Sequence, residues 1–104
     1  MPQMTMIDAI RKTMLDEMVR DPRVILMGED VGHLGGVFRA SDGLQQRFGA
    51  KRVIDTPLAE SVIMGSAYGL ALTGMVPIVE IQFLGFTQNC FHQICQQIAR
   101  SRFR

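Results

Sequence analysis

The stretch Val24-Ile25-Leu26-Met27, closed by Gly28, decides the fold. Four successive apolar residues without polar alternation read as a strand buried on both faces, the pattern of a parallel sheet covered by helices. Upstream, Thr5 and Asp8 have capping-box spacing. Behind them Ile7, Ile10, Met14 and Met18 recur at helical intervals until Asp21-Pro22 stops the run. Downstream, Gly32, Gly35 and Gly36 mark a flexible connection, and Ser41 is expected to cap a short helix that ends at Phe48 before Gly49. Val53-Ile54-Asp55 reads as a second strand, stopped by Pro57. A helix is expected over 59–73 with Gly74 as its terminator. On it Ser61, Gly65, Gly69 and Leu72 fall together, a surface small enough for close backbone approach. A third strand is expected over 76–83, with Glu80 and Gln82 on one face. Phe91, Ile94, Cys95 and Ile98 predict a last helix, with Arg100, Arg102 and Arg104 near its end. All four prolines, Pro2, Pro22, Pro57 and Pro77, fall outside the expected helix interiors. The alternation predicts an α/β fold: three layers, with a mainly parallel sheet flanked by helices, in one domain over 1–104.

Composition excludes several classes. The chain has 104 residues, 47% hydrophobic and 20% charged, with a net charge of +1, which is too apolar for disorder. Eleven basic residues against ten acidic ones leave no electrostatic footprint for nucleic acid or an anionic membrane. The uncharged, apolar stretch between Glu60 and Glu80 holds Gly65, Ser66, Gly69, Thr73, Gly74 and Pro77, and so makes a poor membrane span. The opening residues carry no basic region ahead of an apolar run, which predicts no secretory signal. Cys90 and Cys95 match neither a redox nor a zinc spacing, and on a helix they would point about 140° apart. These features predict a reducing, cytoplasmic setting. Eight methionines, half of them in the first 14 residues, are expected to fill core gaps and an interface.

Three acids stand out by position. Glu60 follows a strand and opens a helix that is otherwise free of charge, the place where ligands of open parallel sheets collect. Helix-dipole stabilisation alone would equally account for an acid there. Glu29, with Asp30, lies just past a strand end, where a solvated turn is the plain alternative. Glu80 falls inside an apolar strand and needs a partner if buried, either a structural salt bridge or a functional one. His33 and His92 are isolated, so no metal site is indicated. The glycines between 32 and 36 lack nucleotide-binding patterns, Gly65-x-x-x-Gly69 reads as helix packing, and Ser61 and Ser66 lack a nucleophile-elbow context.

Four strings in order carry a family resemblance: Met27-Gly-Glu-Asp-Val-Gly32, Gly35-Gly-Val-Phe-Arg39, Asp55-Thr-Pro-Leu-Ala-Glu-Ser61 and Glu80-Ile-Gln-Phe-Leu-Gly-Phe86. Together they resemble the β subunit of thiamin-diphosphate-dependent 2-oxoacid dehydrogenases, of pyruvate and branched-chain type, from about Met4 to Arg104. The resemblance implies a transketolase-like pyrimidine-binding domain, cut before the family's C-terminal domain. It also implies that Glu60 is the catalytic acid that hydrogen-bonds the cofactor's aminopyrimidine. Sharing a proton there favours the imino form of the exocyclic amine, which then removes the thiazolium proton. By the same resemblance Phe86 stacks on the pyrimidine, Leu58 and Gln82 neighbour the cofactor, and Glu29 lies in a water-filled tunnel joining paired sites.

Departures from the family's pattern matter as much. The family's diphosphate and metal motif, beginning Gly-Asp-Gly and closing on an asparagine, has only Ser41-Asp42-Gly43 as its nearest string here. Half the site, including Mg2+, is therefore expected on an α subunit. The implied assembly is a heterotetramer of α subunits with a second β subunit, attached to an acyltransferase core through regions absent here. His92 stands where relatives commonly have aspartate, and Asn89 where some have glutamate in the tunnel. Two readings remain at this point: the pyrimidine half of a decarboxylating enzyme, or a non-catalytic interaction domain of the same fold.

Overall fold

A computed structural model describes residues 3–104, so Met1 and Pro2 lie outside the described residues. Helix α1, Met6–Arg20, begins where expected: Thr5 Oγ1 accepts the backbone N–H of Asp8 at 3.1 Å. It presents Met14 and Met18 to the interior. Strand β1, Val24–Gly28, is buried at every position. Its side chains alternate between two cores, as the two-residue period of a strand requires. Val24 and Leu26 pack with Met14, Met18, Val31, Leu44 and Val53 on one side. Ile25 and Met27 pack with Ala67 on the other, against helix α3, Glu60–Leu72. Each fully buried aliphatic side chain contributes roughly 1.5–3 kcal/mol, so β1 is the spine of the molecule.

Strands β2, Val53–Asp55, and β3, Val76–Glu80, pair parallel to β1 on either side, giving the order β2-β1-β3. Leu26 is in register with Val53 and with Ile78. With α1 and the short α2, Leu44–Phe48, on one face and α3 on the other, this is the three-layer parallel α/β fold expected from the sequence. Gly49 and Gly74 end their helices at φ +88° and +100°, where a side chain would be strained.

Three expectations need correction. Ser41 does not cap α2: its hydroxyl donates to the carbonyl of Val31 at 2.7 Å inside the core, and the capping position belongs to Gly43. Strand β3 stops at Glu80 rather than 83, because its register partner in β1 is Gly28, the last residue of that strand. Beyond Gly28 the chain turns away through Asp30 at φ 58°, and residues 81–83 have no ladder to join. The last segment is helical over 91–98 as expected, but its winding is not that of an α-helix: after a 3₁₀ helix Leu84–Cys90 it passes into a π-helix Gln93–Ile98 and ends in a 3₁₀ turn Ser101–Phe103. The π-helix buries no side chain, so packing does not impose α-winding on it. Among the described residues no helix is long and apolar enough to cross a membrane.

Candidate functional site

Parallel strands deliver their carboxyl ends to one edge of the sheet, and the singled-out residues gather there. Glu29 follows β1, Leu58 and Glu60 follow β2, and Gln82 lies just past β3. The connection after β1 is held by fixed bonds. Asp55 accepts the N–H of Gly32 at 2.7 Å, and Gly36 N–H donates to Asp30 at 2.7 Å. A Cβ on Gly32 would run into the side-chain ends of Asp55 and Gln45, so a larger residue would have to displace the carboxylate that accepts this N–H. Gln82 Nε2 reaches the carbonyl of Glu29 at 3.4 Å and ties the segment after β3 to the one after β1.

Glu60 opens α3, a 13-residue helix whose capping residue, Ala59, offers no side-chain acceptor. An acid in this turn is favoured by the exposed N–H groups and the helix dipole. Its Oε1 accepts a hydrogen bond from Asn89 Nδ2 at 3.2 Å, across 29 residues of sequence. Next to Asn89, Cys90 is fully buried, and burial first, then the Glu60 charge, pushes its thiol pKa up. Both cysteines are free thiols.

Phe86 and Asn89 are three residues apart in the 3₁₀ helix, so they share a face about 6 Å apart along its axis. Phe86 is held edge-on by Phe83, at 5.6 Å between ring centres, and Phe83 by Phe38 at 5.5 Å. Leu58, 69% exposed, stands in the open just before α3. The structure thus brings Glu60 to the segment that carries Phe86, and Gln82 to the Glu29 backbone. No contact of the Glu29 carboxylate or of Leu58 joins either to Glu60 among the bonds described. Sequence reasoning missed Asn89 as the partner of Glu60; its spacing from Phe86 is the only sequence signal.

Glu80 makes no ion pair among the described residues, contrary to one of its two expected roles. Its carboxylate lies against Gly36, where an added Cβ would be 3.2 Å from Oε2. Burial raises its pKa. A carboxyl raised in the folded state binds its proton more tightly there than in the unfolded chain. Stability therefore falls as pH rises from the ordinary carboxylate range through the raised value. Glu80→Gln is expected to raise the urea midpoint at pH 7, with the gain closing below about pH 4. A gain that is the same at both pH values would rule out titration of Glu80 as its source.

A carboxylate with one oxygen tied to an amide, on a segment that carries an aromatic ring one helical turn from that amide, suits a flat ring bearing a protonatable nitrogen. The family model described as the transketolase pyrimidine binding domain matches residues 2–104. The chain belongs to that family. Among curated proteins, this pyrimidine binding domain is 57% identical over 104 residues to the pyruvate dehydrogenase E1 component subunit beta of Staphylococcus epidermidis. It is 55% identical over the same length to the subunit of that name from Staphylococcus aureus. Each alignment covers 100% of this chain and 32% of the relative, so the domain spans about a third of the length of the curated relatives it matches.

Proposed function

We propose that this chain is the pyrimidine-binding domain, within residues 1–104, of a 2-oxoacid dehydrogenase β subunit. It would bind the aminopyrimidine half of thiamin diphosphate and activate it for oxidative decarboxylation together with an α subunit. Pyruvate is the 2-oxoacid favoured, from the names of the two Staphylococcus relatives. The observation that carries the reading is Glu60 at the strand ends, hydrogen-bonded by Asn89, which itself lies one 3₁₀ turn along its helix from Phe86. When bound, thiamin diphosphate supplies an acidic thiazolium carbon and an aminopyrimidine able to serve as its internal base.

The residues present fit the pyrimidine half. Glu60 would hold a proton between its free oxygen and a ring nitrogen, and Phe86 would cover the ring and keep water from that contact. Leu58 would flank the ring, and Gln82 would fix the backbone of Glu29, whose carboxylate would lie along a proton path to a second site. The residues present do not fit the diphosphate half. Among the described residues no three His, Cys, Asp or Glu side chains converge as a metal site. By the family resemblance, Mg2+ and the diphosphate would be held by an α subunit, within a heterotetramer that a second β subunit completes and that docks on an acyltransferase core. The free thiols of Cys90 and Cys95 suit a cytoplasmic assembly.

The test is reassembly with the α subunit of a pyruvate dehydrogenase, followed by turnover of 2-oxoacid with an artificial electron acceptor. Turnover that requires both the α subunit and thiamin diphosphate is expected. A correctly assembled complex without turnover would favour the second reading, an interaction domain. The exposed Val62, Leu72, Phe91 and Phe103 supply apolar surface for that role.

A further inference from the structure

We infer that Asn89 is a positioning residue for Glu60: its amide pins one carboxylate oxygen, fixes the side-chain rotamer and leaves Oε2 as the oxygen that faces the cofactor ring. What Oε2 meets rests on the reading proposed above; the pinning rests on the structure of this chain alone.

The first support is the bond itself, Asn89 Nδ2 to Glu60 Oε1 at 3.2 Å. An ionised carboxylate only accepts, so the amide nitrogen must face it. When the proton sits on Oε2, Oε1 remains a carbonyl-type acceptor and the same amide N–H can still donate to it. Asn89 therefore holds Glu60 in place in either protonation state, which suits a group that takes and returns a proton.

The second support is what surrounds the pair. The 3₁₀ helix Leu84–Cys90 and the π-helix Gln93–Ile98 carry no acidic or basic residue. The titratable groups on the elements packed against α3 are Cys90, His92, Cys95 and Glu80, with Tyr68 on α3 itself. None of them forms an ion pair with Glu60 among the described residues. Glu60 is thus oriented by a neutral donor, and its charge is not cancelled by a fixed cation.

The third support is rigidity. Asn89 is followed by Cys90, the one buried side chain of its 3₁₀ helix, whose Sγ bonds the Thr87 carbonyl at 3.3 Å. At the other end Phe86 N–H bonds the Phe83 carbonyl at 2.9 Å. One short helix, bonded within itself and anchored at one end by the buried Cys90, carries the aromatic face and the donor to Glu60 together.

Two measurements test the role. In this chain, the Asn89 side-chain amide protons, followed by ¹⁵N NMR, are expected to move upfield and exchange faster with solvent in Glu60→Ala. No change there overturns the pinning. In the complex reassembled with the α subunit, Asn89→Ala is expected to slow thiazolium proton exchange about tenfold, while cofactor affinity changes less than threefold. Asn89→Asp places a like charge against Glu60 and is expected to move the acid limb of the exchange profile to higher pH. Parental rates and profiles in both variants would overturn the proposal. If instead Glu60→Gln leaves exchange at the parental rate while the NMR response persists, the cofactor reading fails and the pinning stands.

Discussion

Glu60→Gln is expected to slow exchange of the thiazolium proton by about 100-fold or more in the complex reassembled with an α subunit, the usual scale for a positioned acid–base group. The amide is isosteric and can still hydrogen-bond a ring nitrogen, so cofactor binding is expected to survive in part. What it cannot do is hold and return the proton. The competing account gives Glu60 only the role of an acid in the first turn of α3. It predicts a stability change of roughly 0.3–1 kcal/mol and no change in exchange. The two accounts thus differ in which measurement responds. Exchange followed by NMR after acid quench reads proton removal before any 2-oxoacid is added. Parental exchange in Glu60→Gln would end the catalytic reading of Glu60, and Glu29, the other acid at the strand ends, would be the next residue to replace.

How far the sequence reveals this site depends on the range of the interaction. The apolar run 24–27, the Thr5 cap and the terminators Gly49 and Gly74 are short-range signals, and the structure realises them. Placing Glu60 at the head of a helix after a strand is equally local. The readings that failed depend on neighbours distant in sequence. Ser41 looks like a helix cap until the loop folds back and offers it the Val31 carbonyl. The end of β3 is set by where β1 stops, which no pattern within 76–83 encodes. Apolar spacing from Phe91 to Ile98 locates a helix but not its π winding, since Phe91 is 59% exposed and little packing selects one winding over another. The Asn89–Glu60 bond spans 29 residues between two elements, so only the tertiary arrangement reveals it. The family resemblance compensates in part, because motif strings carry long-range information that periodicity does not. It assigns roles to Glu29, Leu58, Gln82 and Phe86, but it does not tell which residue holds Glu60.

Arg52→Ala is expected to lower stability by about 3 kcal/mol, since hydrogen bonds to charged groups contribute roughly 1.5–3 kcal/mol each and are not additive. No sequence pattern marks this residue, yet its guanidinium joins three elements. Nη2 donates to the carbonyls of Met18 at 2.8 Å, Asp21 at 3.0 Å and Val24 at 2.9 Å. Its plane also lies over the Phe48 ring, 4.9 Å from the centroid. Met18 belongs to the last turn of α1, where carbonyls lack helical partners and a cation is favoured. Removing the side chain strands these acceptors beside the core at the foot of β1, and the strand's other end carries the site. A domain of this size has roughly 5–15 kcal/mol in total, so the loss is a large fraction. With a urea slope of roughly 1–3 kcal/mol/M, the midpoint is expected to fall by more than about 1 M at unchanged slope. Arg52→Lys keeps the charge but loses the second bond to Val24, from Nε at 3.2 Å, and the guanidinium over the Phe48 ring. It is therefore expected to recover less than half of the loss. Full recovery by lysine would mean that charge at the end of α1, rather than the shared hydrogen bonds, holds α1 to β1.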